Sequence, residues 1–305
     1  MSDVVVHADS LGKRYSSFRS RPVQALQDFS LTVSRGEVFG LLGPNGAGKT
    51  TFVKALLGII RPTSGRAHLL GHAAGHPASR ARVGYLPEQH RFSGHLTAKG
   101  ALDIYGRLHG FDASTRGAEI ERLLNRVGLK DWGDVKVKKF SKGMMQRLGL
   151  AQALMGDPEI VFLDEPTDGV DPIGRKEIRE IVTWLSGTGT TIFLNSHLLS
   201  EVEMVCTRVA ILNKGKLVSL GSVADLTRAP AAYEAVASPI ANPPEGVSHD
   251  GGDPWATYRI EADSPEALTE KLRALIGADA VIKEVREGKR SLEQAFVEIV
   301  TEEAA

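Results

Sequence analysis

The run Gly43-Pro44-Asn45-Gly46-Ala47-Gly48-Lys49-Thr50 sets three glycines, a lysine and a hydroxyl at the spacing G-x-x-x-x-G-K-[ST], a pattern that binds nucleotide phosphates. The glycines let the backbone curl so that its N–H groups point inward at an anion. Lys49 can reach the β- and γ-phosphates, and the Thr50 hydroxyl can take a place on Mg²⁺. An apolar run, Val38 to Leu42, precedes the loop and a helix-like run beginning at Thr51 follows it. Strand, glycine loop and helix is the context that such a loop requires, and the helix start adds the positive end of its dipole. Gly43 to Thr51 are therefore the candidate phosphate-binding residues.

A second acidic element narrows the chemistry. In Ile160-Val161-Phe162-Leu163-Asp164-Glu165-Pro166, four apolar residues predict a buried strand. Asp164 at its C-terminal end falls where Mg²⁺ would lie beside the phosphate loop. Glu165, the next residue along an extended chain, is placed to orient or deprotonate a water attacking the γ-phosphate. A guanine-reading N-K-x-D motif is unsupported, because Asn213-Lys214-Gly215-Lys216 carries lysine where aspartate is needed.

The elements around these residues read as α/β. Val4–His7, Leu31–Val33 and Glu37–Leu42 have strand character, with a turn at Ser34-Arg35-Gly36. Apolar residues recur at helix spacing between Thr97 and Gly128. Two short apolar strands, Ile160 to Leu163 and Thr190 to Leu194, flank a helical Arg175 to Leu185, which is the βαβ unit of a parallel sheet. Beyond Leu226, Pro230, Pro239, Pro243, Pro244 and Pro254 with Gly246, Gly251 and Gly252 break the chain. A small αβ appendage follows, with strands near Trp255–Ile260 and Val281–Val285. Its helices open at Ser264-Pro265 and at the capping box Ser291-Leu292-Glu293-Gln294. The expected domains are 1–226 and 227–305, with a helical subdomain at about 92–156.

The 305 residues balance 37 Lys+Arg against 37 Asp+Glu, so no nucleic-acid partner is expected. The single cysteine, Cys206, excludes an internal disulfide and fits a reducing compartment, and its apolar segment predicts a buried thiol. The N-terminus lacks a signal-peptide pattern, and no window approaches a membrane span, so a soluble chain is expected. His68, His72 and His76 recur every four residues, but Gly71, Gly75 and Pro77 predict a surface hairpin or loop instead of a metal-binding helix face.

Phe140-Ser141-Lys142-Gly143-Met144, followed by Met145-Gln146-Arg147, resembles the LSGGQ signature of ABC ATPases and the Q-R stretch after it. Other matches fall in the family's order. Tyr15 resembles the adenine-stacking aromatic, and Thr167-Asp168-Gly169-Val170-Asp171 resembles the D-loop. His197, in Asn195-Ser196-His197, resembles the H-loop histidine. The Q-loop slot falls on Glu88 or on Gln89 in Gly84-Tyr85-Leu86-Pro87-Glu88-Gln89. Lys142 and Met144 depart from the commonest signature, which has glycine and glutamine there.

The resemblance covers about Val4 to Leu226 and implies a P-loop NTPase with a RecA-like core, an antiparallel β subdomain and a helical subdomain. It implies ATP and Mg²⁺ as cofactors, with Thr50, Asp164 and Glu88 or Gln89 near the metal. It further implies a second copy of the chain, whose Ser141 and Gly143 would complete each ATP site, with Asp171 in the D-loop between them. His197 would contact the γ-phosphate. The type-2 exporters that the order of motifs and the tail Ser291 to Phe296 resemble use a separate multi-span membrane permease. That implies a place on the cytoplasmic face of the cell membrane. Two alternatives stand beside this reading: an ABC ATPase that remodels a ribosome or nucleic acid, and a nucleotide-sensing adaptor. One set of motifs, no sustained heptads and an intact Glu165 weigh against them.

Overall fold

Val38–Leu42, Ile160–Asp164 and Thr191–Asn195 are buried at every position, as expected of strands covered on both faces of a parallel sheet. The computed structural model describes residues 3–17, 20–240, 244, 247–250 and 252–303. Pro243, Gly246 and Gly251 lie outside the described residues. The chain divides into two compact units, 1–222 with 299–305, and 223–298.

In the first unit a six-stranded sheet has the order Lys216–Ser222, Arg208–Asn213, Val38–Leu42, Thr191–Asn195, Ile160–Asp164, Val83–Leu86. All neighbours are parallel except the first pair. The register sets Asp164 beside Asn195 and Asn195 beside Leu41. The strand ends carrying the phosphate loop, Asp164-Glu165 and His197 therefore share one edge, where ligands of open α/β sheets bind.

A separate antiparallel sheet pairs Ser20–Ser34, Val4–Ser17, Ser64–Leu69 and His72–Ala73 in that order. The first two strands are far longer than their apolar patches predict, because register shifts interrupt the pairing at several points. Each bulge resets which face a side chain takes, which hides the period of two. The hairpin pairs His68 with Ala73 and Leu69 with His72, so the histidine series turns a corner between strands.

The helix Lys49–Leu56 lies between the two sheets. Phe52 meets Phe29 of the antiparallel sheet at 4.6 Å between ring centroids, and Phe193 of the parallel sheet at 6.0 Å. Phe193 in turn meets Phe39 at 5.4 Å and Phe162 at 5.2 Å. All five rings are fully buried, so one aromatic cluster fixes the phosphate-loop helix against both sheets.

Three helices of the first unit, Ala98–Leu108, Ala113–Arg126 and Lys142–Ala153, start at the side-chain caps Thr97, Asp112 and Ser141, which bond the orphan N–H groups of their first turns. Cys206 ends the helix Leu199–Val205 as a buried thiol, its pKa raised by burial.

In the second unit, Val247–Asp250, Ala256–Glu261, Arg228–Ala237 and Ile282–Lys289 form an antiparallel sheet. Tyr258 is fully buried there; its hydroxyl donates to the Ser238 carbonyl at 3.1 Å and accepts from the Ile240 N–H at 2.9 Å. Ser264 caps the helix Pro265–Gly277, with proline at its first position. Ser291 and Gln294 exchange side chain-to-backbone bonds of 2.9 and 3.1 Å, the reciprocal pair of a capping box. Residues 299–305, which the sequence assigns to the appendage, group with the first unit, where Asn213 donates to Glu303 at 2.8 Å.

Candidate functional site

Steric necessity shapes the phosphate loop. Gly43 has φ 154°, and a Cβ there would sit 2.2 Å from the Leu212 carbonyl oxygen; Gly48 has φ 112°, and its Cβ would sit 2.2 Å from that of Ala25. Both positions exclude a side chain through backbone on either flank. Gly48 is also the N-cap of Lys49–Leu56 and offers no capping side chain, so the first helical N–H groups are left for an anion. Lys49 Nζ donates to the carbonyls of Gly43 at 2.6 Å and Pro44 at 3.3 Å. Burial pushes its ammonium below the usual lysine range, against the pull of Glu165, Asp164 and Glu88.

Two carboxylates of unlike surroundings stand opposite. Asp164 is 2% exposed; one oxygen accepts from Asn195 Nδ2, and the neighbouring Thr50 hydroxyl favours the ionised carboxylate. The other, Oδ2, is buried without a partner. Glu165 follows with φ 52°, a left-handed conformation that bulky side chains seldom adopt and that clusters at functional sites. Its Oε2 accepts from the His197 backbone N–H at 3.2 Å and lies 2.7 Å from His197 Nδ1. Glu165 is thereby aimed by a histidine that keeps its second ring nitrogen available.

Lys49, Thr50, Glu165 and His197 border a cavity of about 640 Å³. Its walls hold the predicted Tyr15, Asn45, Gly46, Ala47, Gly48, Lys49, Thr50, Thr51, Glu88, Glu165 and His197. Gly43 and Pro44 serve from behind through their carbonyls, and Asp164 lies buried against Thr50. Of the two Q-loop candidates, only Glu88 borders the cavity; Gln89 follows it in a turn and lies exposed outside the wall. Ser141, Gly143 and Asp171 do not border it either. Ser141 caps its helix by accepting from Met144 N at 3.2 Å, and Asp171 caps Pro172–Gly187 by accepting from Gly174 N at 2.9 Å.

Four wall residues are not among the sequence-based candidates: Val23, Ala25, Asp168 and Asn195. Val23 pairs with Tyr15 across the antiparallel sheet, so together they form an apolar shelf beside the phosphate loop. Only strand register could have revealed Val23 and Ala25. Asn195 stands in the sequence beside the histidine motif, and its place next to Asp164 follows from the parallel pairing.

Hard cations take oxygen ligands, and Asp164 Oδ2, the Thr50 hydroxyl and the Glu88 carboxylate are of that kind. Among the described residues no three His, Cys, Asp or Glu side chains converge as a metal cage. The donors thus suit an ion that completes its shell with phosphates and water, which is how Mg²⁺ binds.

Burial, followed by the nearby Glu165 and Glu88, pushes the Asp164 carboxyl up to about 6, against the bond from Asn195 and the neighbouring Thr50 hydroxyl. A carboxyl raised in the folded state holds its proton more tightly than in the unfolded chain. Stability of the nucleotide-free protein should therefore fall as pH rises through the window from about 4 to 6, by about 1–3 kcal/mol. Asp164→Asn should flatten that slope and be the more stable variant at pH 7. Urea melts in EDTA at pH 4.5 and 7 test this; parallel pH profiles for both proteins would refute it.

A family model described as ABC transporter matches residues 26–168. An uncharacterized ABC transporter ATP-binding protein of Synechocystis is 46% identical over 76% of this chain and 67% of its own length. The daunorubicin resistance ATP-binding protein DrrA3 of Streptomyces coeruleorubidus is 38% identical over 74% of this chain and 71% of its own. The similarity to the ABC transporter ATP-binding protein YdbJ of Bacillus subtilis, at 34% identity, spans 99% of this chain and 97% of that one. Among solved structures, the ATP-binding subunit of an ABC transporter superposes with TM-score 0.64 at 27% identity, covering 73% of this chain and 91% of that one. A dimeric ATP-binding cassette bound to ADP and Pi shares the fold, with TM-score 0.66 at 21% identity over 72% of this chain and 98% of its own.

Proposed function

The chain belongs to the ABC transporter ATP-binding proteins and is an ATPase, and from that premise we propose that it drives export through a separate multi-span membrane subunit by closing and reopening a homodimer. The observation that carries this reading is the distribution of the site. The phosphate loop, Glu165 and His197 border one cavity, whereas Ser141 and Gly143, at the start of another helix, lie outside it. A helix start with a hydroxyl and free N–H groups suits a γ-phosphate, so a second copy would supply it. Export takes its support from the relative whose name is daunorubicin resistance ATP-binding protein. No helix among the described residues is long and apolar enough to cross a membrane. In this reading the chain works from the cytoplasmic face, on a permease that contains the path.

Tyr15, with Val23, would stack the adenine, and the loop amides with Lys49 would hold the β- and γ-phosphates. Thr50, Asp164 and Glu88 would hold Mg²⁺, which neutralises charge between the phosphates. Glu165 takes the proton of the attacking water as general base. His197 keeps Glu165 aimed through Nδ1 and turns Nε2 to the γ-phosphate. Asp171 holds the D-loop as a helix cap. The divisions 1–226 and 227–305, with a helical subdomain at about 92–156, are proposed as the working domains.

Purification from native membranes in mild detergent tests the assembly. A stoichiometric multi-span partner is the expected result, and recovery with ribosomes or DNA and no such partner would overturn it.

A further inference from the structure

The nucleotide cavity is bordered by three carboxylate side chains, Glu88, Glu165 and Asp168, against one ammonium, Lys49. A polyphosphate entering it would meet Asp168 as an uncompensated negative charge, were it not for a residue from another element. Lys142 Nζ lies 3.1 Å from Asp168 Oδ2.

The contact is built into the surrounding backbone. Gly169 has φ 60°, and a Cβ there would lie 2.0, 2.9 and 3.2 Å from Lys142 Nζ, Cε and Cδ. The glycine thus opens the track along which the lysine stem reaches Asp168. Ser141 caps the helix immediately before Lys142, and a Cβ on Gly143 would touch Val170 at 3.4 Å. The start of that helix is seated on residues 168–170, with Lys142 between its two seats. ABC ATPases commonly have glycine where Lys142 stands, so the added cation and the Asp168 carboxylate form a complementary pair.

We propose that Lys142 is a positioning residue that neutralises Asp168 within the same chain and holds its carboxylate away from the nucleotide phosphates. This rests on ATP occupying the cavity and, for the assignment to one chain, on the homodimer. The side chains are 56% and 50% exposed, and an ion pair so exposed adds little to folding. Its effect belongs in nucleotide binding.

The test titrates the full-length chain with a fluorescent ATP analogue and Mg²⁺. Lys142→Ala should weaken binding about three- to tenfold at low ionic strength, with the gap closing at high salt. Lys142→Arg should keep parental affinity, and Lys142→Ala combined with Asp168→Asn should recover it. The nucleotide-free melting temperature should stay unchanged throughout, which a merely structural role would not predict. A double variant no better than Lys142→Ala would overturn the proposal. Mixing Lys142→Glu chains with Asp168→Lys chains, each also carrying Glu165→Gln, addresses which chains pair. Failure of the mixture to restore ATP-driven dimers supports pairing within one chain, and restoration refutes it. Absence of ATP-driven dimers with Glu165→Gln alone would instead count against the homodimer, and absence of ATP binding by the parent against the site itself.

Discussion

Glu165→Gln is expected to bind ATP with near-parental affinity, to lose about 10²- to 10⁴-fold in steady-state hydrolysis, and to accumulate as an ATP-bound dimer. The size follows from the task given to the carboxylate. Glutamine keeps the shape and can still meet His197, but it cannot accept a proton from water. In the proposed site nothing in nucleotide binding depends on that proton, because Lys49 and the loop amides would hold the phosphates. Removing one negative charge from a cavity bordered by Glu88 and Asp168 should favour the bound state further. Phosphate release and size-exclusion chromatography with MgATP are the two readouts. Unchanged hydrolysis would remove Glu165 from its role as base; lost hydrolysis with a monomer at saturating ATP would spare the base and sink the dimer.

Lys49→Ala should act at the earlier step. Lys49 is 7% exposed, and its ammonium donates to two loop carbonyls at 2.6 and 3.3 Å. Losing one charge-assisted hydrogen bond to phosphate costs about 1.5–3 kcal/mol, so affinity for ATP should fall about 10- to 150-fold. The fold should persist, since the aromatic cluster around Phe52 anchors the following helix without Lys49. Calorimetric titration alongside a thermal melt separates the two effects. Parental affinity in a folded Lys49→Ala protein would mean that the phosphates lie elsewhere.

Much of this site is legible in the residue order alone because its chemistry is local. Gly43 to Thr50 are adjacent, and so are Asp164 and Glu165, and each group sits at a strand end that its apolar run predicts. The wall contributed by Val23 and Ala25 is not legible, since they are ordinary apolar residues placed by cross-strand register. Asp168 is visible as part of a motif, yet its bond to Lys142 spans 26 positions and depends on how a helix start meets a loop. The choice between Glu88 and Gln89 turns on side-chain direction within a turn, which spacing does not encode. The long antiparallel pair escapes recognition for a different reason. Its bulges scramble the alternation on which strand recognition relies. The positive φ of Glu165 leaves no trace in residue type, because glutamate is not a residue that advertises a left-handed backbone.

The two glycines pressed against carbonyl oxygens, Gly43 on Leu212 and Gly48 on Ala25, have a consequence for how this protein tolerates change. Side chains that perform chemistry can be exchanged one at a time for near-isosteres, with activity traded and shape kept. A methyl group added at either glycine has no such graded option, since it collides with main chain from another strand and would move the anchor of the whole loop. Robustness at this site therefore runs opposite to reactivity: its least negotiable positions are the ones that bear no functional group at all.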